Sequence, residues 1–415
     1  MCIRDRGTCT KVDGGFSRTN TAKHRSLSIL MTPLRIAMVA AEPSGDQLGA
    51  ALMQALRGRF PSAAFEGVGG DAMAAEGLNS RIPMDRLGVM GLVEVLAHLP
   101  ALLKERRDLG DHWTRNPPDV FIGIDAPDFN LGLAARLRKA GIPTVQYVAP
   151  TVWAWRESRV KTLRRSVDLV LSIFPFEEQF LQERGVNAVY TGHPLADRIP
   201  LDVDQAGARQ ALDLSPEGMI VALLPGSRRS EMEKLAGPFL ETANWCHERR
   251  PGLRYVVPLA GDAVAAAFEQ ARSRFAPRLP LQTVRRRSHE VLAAADVALT
   301  ASGTATLEAL LTKRPMIVGY RVHQFTYLAA RYLRLVKTPW VAMANILASE
   351  ELAPEFLQTR CAAPFLGPAL LALLDDPERR ARIGGRYRVI HERMRCSSNQ
   401  GGAAAVADLL AGRAP

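Results

Sequence analysis

Short stretches of this 415-residue chain hold residue types able to do chemistry, each just after an apolar run. Glu42-Pro43-Ser44-Gly45-Asp46 offers carboxylates, a glycine for a tight turn and helix-start N–H groups that would suit an anion or a substrate hydroxyl. An ordinary turn capped by Ser44 or Asp46 would use the same residues. Asp125-Ala126-Pro127-Asp128 follows Val120 to Ile124; a carboxylate there serves as a general base or as a structural acceptor, and Asp128 is expected to cap a helix beginning near Asn130. No third carboxylate or histidine lies near in sequence, so no metal is expected between the two aspartates. Pro225-Gly226-Ser227-Arg228-Arg229-Ser230-Glu231 brings guanidinium groups to a strand end, where they either fork onto phosphate or stay solvated. Ser302-Gly303-Thr304-Ala305-Thr306 opens a helix with small residues and leaves N–H groups for a diphosphate. Glu308, one turn in, can accept from ribose hydroxyls or complement the helix dipole.

Such loops need a strand before them and a helix behind them. Leu34–Ala41, Val120–Ile124, Thr144–Val148 and Leu169–Ile173 read as buried parallel strands, with helices over Gln47–Arg57, Leu131–Ala140 and Glu177–Arg184. After a polar linker, Asp202–Gly218, the alternation restarts with strands at Met219–Leu224, Tyr255–Pro258, Val297–Thr300 and Met316–Gly319. Two such series predict an α/β fold of two doubly wound, Rossmann-like domains facing across a cleft, with ligands at the carboxyl ends of the strands. The expected domains are 31–200 and 201–415, the second closing in a terminal helix, Gly401–Leu410. Residues 1–30 lack hydrophobic periodicity and are expected to be a disordered or artefactual lead-in, with Met31 the expected true start. Gly67 to Gly70 falls short of a dinucleotide fingerprint.

A chain 47% hydrophobic and 23% charged is not globally disordered, and no run of about 18 apolar residues is present to cross a membrane. Five scattered cysteines without metal spacing fit a reducing compartment. The net charge of +11, of which residues 1–30 supply +4, asks for anionic partners. Gly88 to Leu103 is apolar (Leu92, Leu96, Leu99 and Leu103 among its residues) and runs into Lys104, Arg106 and Arg107; this is a membrane-interface or acyl-binding helix, or a core helix with a solvated end. Trp153 and Trp155 precede Arg156, Arg159 and Lys161, a pattern that suits either a lipid headgroup region or a core tryptophan beside a solvated face. Arg285 to Arg287 lacks aromatic interleaving, so nucleic acid is not expected as a partner.

In order along the chain stand AEPSGDQLGA, MGLVEVL, PDVFIGIDAPDFN, YVAPTVWAWR, GHPLAD, LLPGSRRSE, ASGTATLE, MIVGYRV and VKTPWVAMANILA. Together, over about Leu34 to Leu410, they resemble the lipid-A-disaccharide synthase family, inverting glycosyltransferases of the GT-B fold. The resemblance implies transfer of a diacylglucosaminyl unit from UDP-2,3-diacylglucosamine to 2,3-diacylglucosamine 1-phosphate, giving a β-1,6-linked disaccharide and UDP. It makes Asp125 the base and assigns Glu42 and Asn345 to substrate positioning. Arg228 and Ser302, Gly303, Thr304 and Ala305 would hold UDP, with Glu308 at the ribose and no metal or cofactor. His193 would be structural or ligand-facing. The acylated substrates give Leu92, Leu96, Leu99, Leu103, Trp153 and Trp155 a role as acyl or membrane contacts, on a cytoplasmic enzyme at the inner-membrane surface. The terminal helix is a candidate surface for a homodimer. UDP-sugar 2-epimerases share this two-domain frame and would act without an acceptor.

Overall fold

Arg35–Ala40 (β1) sets Ile36, Met38 and Ala40 in one core and Ala37 and Val39 in another, all fully buried. An apolar residue at every inward position on both faces is what a strand covered by helices on both sides requires. A computed structural model describes residues 33–87, 92–153, 159–321 and 338–412, excluding the side chains of 92–98; the lead-in, residues 1–30, lies outside them. Its first sheet joins β1 to β2 (Ala64–Val68), β3 (Leu78–Ser80), β4 (Val120–Ile124), β5 (Thr144–Tyr147), β6 (Leu169–Ser172) and β7 (Ala188–Tyr190). The second contains β8 (Ile220–Leu224), β9 (Arg254–Leu259), β10 (Leu281–Arg285), β11 (Val297–Thr300), β12 (Met316–Tyr320) and β13 (Glu355–Leu357). All pairings are parallel, in the orders β3-β2-β1-β4-β5-β6-β7 and β10-β9-β8-β11-β12-β13.

Both orders reverse at the sheet's first strand. β1 lies between β2 and β4, and β8 between β9 and β11. Successive connections leave these strands toward opposite edges, which opens a crevice at the carboxyl ends of β1 and β4 and of β8 and β11. The register pairs Ala40 with Ile124 and Leu224 with Thr300, so the loops that follow emerge level with each other. These are the four loops singled out by their residue types.

The polar stretch at 202–218 is not only linker. Asp204 accepts from Gly207 N at 2.8 Å and caps a helix, Gln205–Ala211, whose buried Arg209 pairs with Asp296 at 2.9 Å. Ala196 and Ile199, just before it, already pack in the second core. The terminal helix, Ser398–Leu410, corrects the expected division: it lies on the first sheet's side. Ala403, Ala405 and Val406 are buried in the core that holds Leu52 and Leu171, and a Cβ on Gly402 would meet Leu52 Cδ1 at 3.3 Å. Asp197 fixes its start, accepting from Ser397 N at 3.1 Å and from Ser398 N and Oγ at 2.6 Å. Chain order alone does not say on which sheet a last helix lands; its small apolar stripe fits the helix Pro43–Arg59. Among the described residues no helix is long and apolar enough to cross a membrane.

Candidate active site

On the first domain, Glu42 is the N-cap of the helix Pro43–Arg59, whose first position is a proline already suited to helical φ. Its carboxyl makes no cap bond. It lines a cavity of about 320 Å³ shared with Leu87, Leu99, Leu102, Leu103, Arg106 and residues 125–129. Gly45 does not make the turn. It lies inside the helix, where a Cβ would stand 3.4 Å from Ala40 Cβ and 3.7 Å from Ile124 Cγ2. Asp46 caps a neighbouring helix, Asp71–Ala75, rather than its own: its carboxylate accepts from Gly70 N at 2.8 Å and from Ala72 N and Met73 N at 3.0 Å.

Asp125 and Ala126 follow β4 with φ of 49° and 40°. Left-handed backbone costs a non-glycine residue about 1–2 kcal/mol, so other groups must hold this pair. Two buried amides do. Asn130 Nδ2 donates to Asp125 O at 2.9 Å and Gln146 Nε2 to the same oxygen at 3.0 Å. Gln146 also donates to Tyr147 O and Val148 O at 3.3 Å, beside a third left-handed residue, Val148, at φ 70°. Burial lifts the Asp125 carboxyl above the usual carboxylate range, while the Ala126 backbone and the Arg228 guanidinium pull it back. Glu42 is raised by burial and by the charge of Asp125, and lowered by Arg228. Asp128 does not cap its helix, which starts at Pro127; it is exposed and accepts from Arg159 Nη2 at 2.7 Å. The Asp128 carboxylate is thus engaged by Arg159, while the bonds at Asp125 hold its main-chain oxygen.

Across the cleft, Gly226 is at φ 137°, and a Cβ there would come within 2.5 Å of Glu231 Cβ. Glu231 accepts from Ser227 N at 3.0 Å and Arg228 N at 3.4 Å, closing the turn and leaving the Arg228 side chain exposed at the start of the helix Arg229–Arg249. Gly303, at φ 128°, precedes the helix Thr304–Leu311 without a side-chain cap, so the first N–H groups, of Thr304 and Ala305, have no partner within the helix. Ser302 Oγ donates to Val341 O at 2.9 Å. Glu308 is raised by burial, with His289 and Ser288 opposing.

Of the other candidates, Asn345 and Trp153 stand apart from the roles the resemblance implies, and His193 takes the structural one. Asn345 is fully buried with its amide wholly used inside the protein: Nδ2 donates to Ala353 O at 2.7 Å and Glu355 Oε1 at 2.9 Å, and Oδ1 accepts from Leu352 N at 2.9 Å and Ala353 N at 2.8 Å. With Glu355, which also accepts from Val341 N and Ala342 N, it shapes the segment lying on Ser302 and leaves no atom for a substrate. His193 Nδ1 accepts from Leu195 N at 3.1 Å as a helix cap, and burial pushes the ring down to about 4, keeping it neutral. Trp153 is no lipid contact: it is buried and donates Nε1 to the buried Glu177 at 2.9 Å. Trp155 and the side chains of Leu92 and Leu96 lie outside the described residues. Leu99 and Leu103 are each 41% exposed, at the mouth of the cavity. Sequence reasoning missed Gln146, although a glutamine inside an apolar strand is itself a signal; it placed Glu231 in the Arg228 loop without a role, and missed Glu355, which nothing in sequence marks.

Comparison with known proteins fits this geometry. A family model described as lipid-A-disaccharide synthetase matches residues 36–407. A lipid-A-disaccharide synthase of Pseudomonas aeruginosa is 50% identical over 91% of this chain and 98% of its own, and that of Hahella chejuensis 45% identical over 91% and 95%. UDP-GlcNAc 2-epimerase from Neisseria meningitidis, solved with UDP-GlcNAc, shares the fold with a TM-score of 0.57 at 11% identity, over 87% of this chain and 99% of its own. At that identity the likeness speaks for the two-domain GT-B frame alone. The chain belongs to the lipid-A-disaccharide synthase family, glycosyltransferases of lipid A biosynthesis.

Proposed function

We propose that the enzyme condenses UDP-2,3-diacylglucosamine with 2,3-diacylglucosamine 1-phosphate by a single in-line displacement. The Asp125 carboxylate takes the proton of the acceptor's C6 hydroxyl, and the oxygen attacks the donor's anomeric carbon from the face opposite UDP. The bond from that carbon to the diphosphate breaks, its electron pair leaving with UDP. Arg228 and the N–H groups at Thr304 and Ala305 stabilise the departing charge, and Glu308 meets the ribose. Inversion to a β linkage follows from one displacement. Glu42 orients the acceptor beside the base.

The observation that carries this reading is the meeting of two switch points: the charge of Arg228, after β8, acts on both Glu42 and Asp125, after β1 and β4. On this reading the base and the leaving-group cation come from different domains. The half-exposed leucines around the cavity suit acyl chains and a membrane surface, and on this reading the enzyme works at the cytoplasmic face of the inner membrane. Measuring UDP release with both acylated substrates tests it: Asp125→Asn is expected to lower kcat by about 10²–10⁴-fold with UDP affinity kept. Wild-type turnover in that variant would remove Asp125 from the role of base.

A further inference from the structure

The helices Leu92–Arg115 and Pro127–Lys139 cross with a glycine on each, and each glycine seats an arginine of the other helix. A Cβ on Gly110 would stand 2.9 Å from Arg136 Nη1, and one on Gly132 2.5 Å from Arg106 Nη1. The two arginines then differ. Arg136 is ion-paired with Asp111. Arg106 meets no carboxylate among the described residues; it makes one long bond, Nη1 to Asp128 O at 3.4 Å, and lines the cavity that Glu42 and Asp125 also line. A half-buried guanidinium, held in place and lacking a counter-charge beside leucine side chains, is built for an anion that arrives with its own apolar body.

We propose that Arg106 binds the phosphate of the acceptor sugar and that this cavity is the acceptor subsite, a reading that rests on the proposed condensation. The C1 phosphate and the C6 hydroxyl flank the ring oxygen of one hexose. A cation for the first and a base for the second therefore have to line one cavity, as Arg106 and Asp125 do. Arg228, on the other domain, serves the donor's diphosphate. The arginine selects phosphorylated acceptors over the same sugar without its phosphate, because a bound sugar covers the half-buried guanidinium and, lacking phosphate, leaves it unpaired.

The test uses the full chain in neutral-detergent micelles, with the diacylglucosamine acceptor offered with and without its 1-phosphate. Wild type is expected to favour the phosphorylated acceptor on the order of ten- to hundredfold in kcat/KM, the range of a hydrogen-bonded charge. Arg106→Leu should lose that preference through a higher KM for the phosphorylated acceptor and a lower one for the dephosphorylated acceptor, with donor KM unchanged; Arg106→Lys should recover part. Protection of Arg106→Leu by UDP against thermal unfolding checks that it folds. If wild type uses neither acceptor, the condensation itself is wrong and the assignment falls with it. If wild type is active and Arg106→Leu keeps the full preference, only the Arg106 assignment falls. Retained preference with lost binding to phosphatidylglycerol vesicles would give the arginine to bilayer phosphate instead, and equally overturn the proposal.

Discussion

Replacing Gln146 with methionine isolates what holds the base in place. The side chain is fully buried and donates to Asp125 O, Tyr147 O and Val148 O at 3.0, 3.3 and 3.3 Å. Methionine is close in volume, so no cavity term intrudes. Asp125 O keeps the Asn130 donor at 2.9 Å, and Tyr147 O keeps Asp125 N at 2.9 Å, whereas Val148 O loses the Gln146 donor. One part-buried carbonyl stripped of its donor costs about 1–3 kcal/mol of stability, offset in part by removal of the unpaired buried Gln146 Oε1. The left-handed pair at Asp125 and Ala126, which stores about 1–2 kcal/mol per residue, then has half its clamp and relaxes. A carboxylate displaced by roughly 1 Å loses about a hundredfold in rate. Gln146→Met should therefore lower kcat tenfold to a hundredfold with both KM values and the acid limb of the pH profile unmoved. Kinetics at saturating substrates, beside denaturant unfolding with an unchanged slope, separate the two effects. Asn130 donates to the same oxygen, so Asn130→Leu added to Gln146→Met strips Asp125 O of both donors and should cost more stability than the sum of the two. Wild-type kcat in a variant destabilised by the expected amount would show that the glutamine only stabilises and does not position.

Arg228→Met removes the charge that lowers both Asp125 and Glu42. A base works ionised, so activity falls as pH drops through its value; with Arg228 gone that value climbs, and the acid limb of kcat/KM should move to higher pH, whatever the loss in its height. A limb that stays in place would separate Arg228 from the carboxyls. Leu99→Ser with Leu103→Ser, both 41% exposed, should reduce retention on phospholipid vesicles while leaving UDP protection intact; unchanged retention would place the membrane contact elsewhere.

The strands that bear the site were legible because they are buried on both faces. β1, β4, β8 and β11 run apolar almost without a break, and the polar residues that interrupt them come at their ends. The outer strands were not legible: β3, β7 and β13 are three residues long, and β10 is nowhere fully buried. Position put Glu42, Asp125 and Arg228 on loops after core strands, and it was the family resemblance that gave Glu42 and Asp125 their expected roles. The roles of Asp46, Asn345 and Trp153 could not be read so, since each meets its partner from another segment: Gly70 and Met73, Ala353 and Glu355, and Glu177. Residue type tells what a side chain can bond to; folding decides which claimant reaches it first.

The landing of Ser398–Leu410 on the first sheet's side has a consequence for how the protein is made. The helix Pro43–Arg59 leaves the ribosome before the second sheet, yet the element that covers Leu52 is synthesised only after that sheet. At about 5–20 residues per second, roughly twenty seconds to a minute pass between the two. During that interval the nascent first domain presents an apolar stripe with no native cover, while the whole second domain is translated and folds. Completion of the first domain is thereby timed by the emergence of the second, and a truncation of the last helix would injure the half of the molecule made first.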